Sequence, residues 1–288
     1  MKIKMVEKTQ ETKKSFQLPE LRSEYIWAVT FIVFLIPTMI PLGTQVEMTP
    51  MTQEIYNNIQ ALKPGSIVLT GGAGVFSFML ENSPAFIAFL KQAARQHLRV
   101  VQLPLGIENV PFFKYCLEAA GVDESAGGPW KYGRDYVVLP YLPGGDPSRV
   151  SFLTDVKRTV NTDVYGTPLS QIQLMNDVKD AKSFAYWADA SGTDIPSLAR
   201  ISVGMFNLPV IGFVHAYYYG VWSPYLTMYP GKMWFTNGII GGAQYESLMN
   251  YSGLGHSGID AYQLTSIYYF VLFALGNITM YARKEWKE

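Results

Sequence analysis

The residues best suited to chemistry stand where apolar runs end. Residues 66–74 read SIVLTGGAG, a β-branched run that closes on glycines. The bare backbone amides of Gly72 and Gly74, ahead of a helix, could hold an anion. A tight turn with close helix–strand packing is the competing reading. The fingerprint G-x-G-x-x-G is incomplete, because Gly72-x-Gly74 is followed by Ser77, and no P-loop Gly-Lys-Ser/Thr occurs. A second glycine turn, Pro143-Gly144-Gly145-Asp146, follows another apolar run and makes Gly145 a further candidate for ligand contact.

Asp189 and His215 close two more such runs. If their strands are neighbours, the two side chains approach each other. A carboxylate beside an imidazole can orient a general base or help to hold a metal; ordinary structural hydrogen bonding is the alternative. Asp194 reads as a helix cap. No serine has G-x-S-x-G surroundings. His97 and His256 stand alone, with no H-E-x-x-H and no cysteine cluster, so no motif supports zinc and no cofactor is implied. Asp163, Tyr165 and Thr167, in NTDVYGTPLS, either reach the same sheet edge or form a structured connection. Asn250-Tyr251-Ser252 matches the N-glycosylation sequon. Cys116 is the one cysteine of the chain, which excludes an internal disulfide. On the helical stretch FFKYCLEAAGV it reads as a small buried hydrophobe.

The elements that must carry these residues alternate. Five apolar runs, at 66–74, 98–105, 135–145, 182–191 and 208–216, read as strands. Helical patterns separate them: SPAFIAFLKQAARQH, with Ser83 as cap and Pro84 at the first position; NVPFFKYCLEAAGV, closed by Gly121; PSRVSFLTDVKRTV; SQIQLMNDVKDA; and DIPSLARISVGMF. This order predicts an α/β fold, a Rossmann-like or flavodoxin-like three-layer domain with a parallel sheet, over 63–220. Ligands of such sheets sit beyond the carboxyl ends of the strands, which is where the candidates above fall. Residues 221–260, rich in Tyr, Trp, Met and Gly, are expected to pack near a membrane surface or to extend the core.

Composition points to a bilayer. Of 288 residues 49% are hydrophobic and only 16% charged, against about 25% charged in ordinary soluble domains. Two runs carry no charge, 25–43 and 261–282, each near the ~20 residues that a span needs. Basic side chains precede the first (Lys2 to Arg22) and follow the second (Arg283, Lys284, Lys287). By the positive-inside rule the tails 1–24 and 283–288 are expected in the cytoplasm, with 44–62 as a short linker leading into a helix and the α/β domain outside the cell membrane. The 23 basic and 23 acidic side chains balance, so no nucleic-acid footprint is present.

The C-terminal half, from DVYGTPL through AYWADASGTDIP to GGAQYESLMN and the last apolar run, resembles a group of uncharacterised prokaryotic membrane proteins. These pair an α/β domain with a helix at each end, and the resemblance implies that architecture and no activity. Two functions follow from the residues. One is a non-enzymatic scaffold, sensor or complex subunit whose partners are the lipid bilayer and other membrane subunits or further copies of itself. The other is a binder of a small anionic ligand, or a hydrolase, that uses Gly72, Gly74, Gly145, Asp189 and His215 at the strand ends.

Overall fold

The computed structural model describes residues 22–71, 79–190 and 195–283. The chain divides into two compact units: residues 37–260, and the apolar helical segments on either side of them.

The larger unit is built on six parallel strands: β1 (Ile67–Gly71), β2 (Arg99–Gln102), β3 (Tyr136–Val138), β4 (Trp187–Asp189), β5 (Val210–Val214) and β6 (Met233–Asn237). Their spatial order is β3-β2-β1-β4-β5-β6, the doubly wound arrangement, so chain direction through the sheet reverses between β1 and β4. Alternate residues face opposite sides, as the pleat requires. Val68, Val100, Val138, Ala188, Ile211 and Trp234 share one apolar cluster with helices α2 (Pro50–Gln60), α3 (Met79–Arg95), α4 (Asn109–Ala120) and α9 (Gly238–Leu248). Leu69, Val101, Val137, Trp187, Val210 and Phe235 share the other with α5 (Gly145–Thr154), α6 (Val156–Thr159), α7 (Ile195–Leu198) and α8 (Tyr219–Met228). Both faces are covered, which is why the strands read as unbroken apolar runs.

Several boundaries differ from those read in the sequence. The sheet has a sixth strand, and the α/β body exceeds 63–220 at both ends. Within the expected linker 44–62, α2 sends Ile55 and Ile59 into the core. Residues 221–260 supply β6 and α9, and a Cβ on Gly242 of α9 would stand only 2.6 Å from Pro84 Cβ. Pro84 lies inside α3, so Ser83 is not its cap. The Ser83 hydroxyl donates instead to Met79 O at 2.6 Å. The helix expected over 170–181 is replaced by a pair of 3-10 turns, Leu169–Gln171 and Leu174–Asp177. Leu169, Ile172, Leu174, Met175 and Val178 are all buried there, and on an α-helix they would spread over roughly 220° of the axis, wider than one buried face. Asp155, in extended conformation, divides α5 from α6 and accepts from Arg158 N at 3.0 Å.

The smaller unit contains most of α1 (Ser23–Met39) and of α10 (Leu254–Arg283). Residues Leu254–Tyr281 form one helix long and apolar enough to cross a membrane, and its most apolar stretch is not buried by protein. Phe270 and Phe273 are exposed, as lipid-facing side chains would be. Ser266, Asn277 and Thr279 turn their side-chain donors back to Tyr262 O, Phe273 O and Leu275 O, which removes unpaired polar groups from an apolar surface. The 17 residues of α1 span roughly 26 Å, short of the ~30 Å hydrocarbon layer. Within this unit the Tyr268 hydroxyl donates to Ile26 O at 3.1 Å.

Candidate functional site at the carboxyl edge of the sheet

Gly71, Asp189, Gly212 and Phe235 are in register across β1, β4, β5 and β6. Gly71 and Asp189 therefore flank the point where the winding reverses, the place at which open α/β sheets leave a crevice. Gly71 is demanded by its neighbour, since a Cβ there would lie 2.8 Å from Trp187 Nε1. The expected anion-binding residues Gly72 and Gly74 lie outside the described residues, as do Ser191 and Asp194. Asp189 is almost wholly buried.

The start of α3 approaches this edge. Asn82, also buried, donates to Ala190 O at 3.2 Å, just past β4. Its Oδ1 is buried and has no hydrogen-bond partner among the described residues. Glu81 accepts from Ala216 N at 2.8 Å through Oε2. Gly238 closes the same corner with φ of +51°, and a Cβ there would fall 2.7 Å from that carboxylate oxygen. Thr236 Oγ1 and Asn237 Oδ1, at the end of β6, are further buried polar atoms without a partner among the described residues. In native proteins most such atoms are paired, which makes each of the three a candidate contact for a ligand or for ordered water.

His215 is placed differently from the expectation. Its strand does lie beside that of Asp189. However, Asp189 is in register with Gly212, and His215 follows the end of β5, three residues and ~10 Å further along. The carboxylate near His215 is that of Glu81. The ring is buried and packs edge-on to Tyr218, with centroids 4.3 Å apart. Burial pushes its pKa below the ordinary value, and Glu81 opposes this only in part. A neutral imidazole is thus favoured.

The other candidates belong elsewhere. Gly145 follows β3, two strands away from β1, and takes a left-handed φ of 61°. Beside it, Asp146 accepts from Ser197 Oγ at 2.5 Å and from Arg149 at 3.2 Å, and also pairs with Arg200, tying α5 to α7. The Asp163 carboxylate accepts from Tyr165 N at 2.9 Å, Thr167 N at 2.8 Å and the Tyr132 hydroxyl at 2.8 Å, so this loop is a structured connection. Its neighbour Val164 donates to Val138 O. A cavity of about 300 Å³ opens beside it, lined by Lys114, Asp123, Tyr136 and Tyr165. His97 is the left-handed residue, φ 56°, that follows α3. Burial pushes the Cys116 thiol far up, which leaves it inert. Among the described residues no group of three or more His, Cys, Asp or Glu side chains is placed to hold a metal ion.

Glu81, Asn82, Thr236 and Asn237 are the candidate residues at this edge that the sequence did not reveal. Glu81 and Asn82 precede the Ser-Pro pair that looked like a helix start, and no motif marks them. Compared with known proteins, the chain matches no family model, no curated sequence and no solved structure.

Proposed function

We propose that the α/β body binds a small ligand at the crevice between the carboxyl ends of β1 and β4. We also propose that it is held to a cell membrane by α10, with α1 as a second anchor. The observation that carries the binding reading is the reversal of winding between Gly71 and Asp189, with Asn82 Oδ1 buried and without a partner among the described residues beside it. The described residues supply carboxylates (Glu81, Asp189) and amide oxygens (Asn82, Asn237). His215 adds no positive charge, because burial favours its neutral form. Such groups accept hydrogen bonds, so they favour a ligand that presents hydroxyl or amino donors. The anionic ligand first expected rests on Gly72 and Gly74 alone.

The anchoring reading rests on the length of α10, on the pairing of Tyr268 with Ile26 O, and on the basic residues that flank both apolar runs. It puts both termini in the cytoplasm and the α/β body outside it.

Isothermal titration calorimetry of the full chain in detergent, with ribose and inorganic phosphate as separate titrants, tests the ligand class. Saturable binding of ribose alone supports the donor-bearing ligand. Saturable binding of phosphate alone restores the anion reading, and binding of neither counts against a ligand of either class.

A second reading, a non-enzymatic subunit of a membrane complex, draws on Tyr217, Tyr219, Val221 and Met228, which leave apolar surface exposed on and just before α8. Crosslinking in intact membranes, followed by sizing of the adducts, tests it.

A further inference from the structure

Ser247, His256 and Glu246 form a cluster apart from that edge, where α9 ends and α10 begins. Ser247 Oγ stands 3.0 Å from His256 Nε2, and His256 Nδ1 stands 2.8 Å from Glu246 Oε2. This is the sequence of nucleophile, base and orienting carboxylate that activates serine hydroxyls on unrelated folds.

The carboxylate is buried and held from three sides. It accepts from Gly253 N at 3.0 Å, Gly255 N at 2.8 Å and His256 N at 3.0 Å. Glycine makes this closure possible: a Cβ on Gly253 would stand 2.7 Å from Glu246 Oε1, and one on Gly255 would stand 2.5 Å from Ala243 N. A carboxylate at Nδ1 draws the proton of a neutral imidazole to that nitrogen, leaving Nε2 as an acceptor. The Ser247 hydroxyl can then donate to Nε2; its other acceptor within reach is Ala243 O at 2.9 Å. The base is buried while the serine is exposed, so the nucleophile is the member of the three that solvent can reach.

We propose that Ser247 is a nucleophilic serine, activated by His256 and Glu246, that takes an acyl group from a carboxylic ester. Ser247 Oγ bonds to the ester carbonyl carbon while its proton passes to His256 Nε2. The bond from that carbon to the alcohol oxygen breaks, and His256 returns the proton to the departing alkoxide. An alcohol leaves and acyl-Ser247 remains. The neighbouring N–H groups of Asn250 and Tyr251 already donate to Ser247 O and Glu246 O, so neither is available to stabilise the carbonyl oxyanion. Acylation is therefore slow.

Intact-mass analysis and peptide mapping of the full chain in mild detergent, treated with p-nitrophenyl acetate, test this. The expected result is one adduct, on Ser247, absent from Ser247→Ala and formed at least about tenfold more slowly in His256→Gln, in keeping with the usual worth of a general base. In the unaltered chain the rate of labelling rises with pH, a profile that a purely structural cluster does not give. This profile decides the matter should His256→Gln fail to fold. No adduct on Ser247, or one whose rate is flat with pH, overturns the proposal.

Discussion

Gly71 and Asp189 stand opposite each other at the carboxyl ends of β1 and β4, the two strands between which the sheet reverses its winding. A glycine thus faces a buried carboxylate across the two strands. Gly71 cannot be enlarged cheaply, because Trp187 Nε1 occupies the space 2.8 Å from where its Cβ would be. Replacing Gly71 by Ala is expected to cost about 1–3 kcal/mol, the usual penalty of overpacking. Chemical denaturation of the full chain in detergent measures it, and an unchanged midpoint would show that the indole moves aside freely.

The pH dependence of stability should carry the signature of His215. Its folded pKa is depressed by burial. Below the ordinary value of about 6.5 the unfolded chain therefore binds more protons than the folded one. The stability contributed is complete above that value and is lost as pH falls through the window down to the folded pKa. His215→Gln should flatten the loss between pH 7.5 and 5.5. Thermal melts of both proteins across that range check the sign, and parallel curves would contradict it.

Cys116 packs inside α4 with no exposed surface, and its thiol is pushed up far beyond the usual range. Maleimide should leave it unmodified in the native chain and label it fully after denaturation. Rapid native labelling would mean that α4 opens on the timescale of the reaction.

Phe86 sits among Phe89, Phe112, Phe113 and Phe213, with ring centroids 5.7 to 6.3 Å away. Three elements, α3, α4 and β5, meet on this one ring. Phe86→Ala should cost about 3–5 kcal/mol through lost burial and the cavity it leaves. The shift in denaturation midpoint reports it, and a loss below about 1 kcal/mol would show that the cluster repacks around the gap.

The parts of the fold that were legible in the sequence are those where one local signal sufficed. Buried parallel strands such as IVLTG and VIGFV are continuous apolar runs between turn residues, and Gly121 closes α4 with φ of 64° as a left-handed cap should. The sixth strand, MWFTN, was hidden because the aromatic and glycine-rich residues around it have no periodicity that separates sheet from interface. Ser83 and Pro84 imitated a helix start, whereas the helix already runs from Met79. At the site, Asp189 was legible because it ends an apolar run. Its relation to His215 was not, because strand adjacency leaves register undetermined, and the register pairs Asp189 with Gly212, three residues before His215. Glu246 and His256 lie ten residues apart across a helix end, a spacing that corresponds to no motif.

The ligand crevice is tested most directly by titrating the full chain in lipid nanodiscs with ribose, using the unaltered protein, Asp189→Asn and Asn82→Ala. Saturable binding is expected that weakens at least about tenfold in each variant, as loss of a buried hydrogen-bonding group would cause, with α/β content unchanged by circular dichroism. Equal affinity in all three proteins, or saturable binding of phosphate in place of ribose, would contradict it.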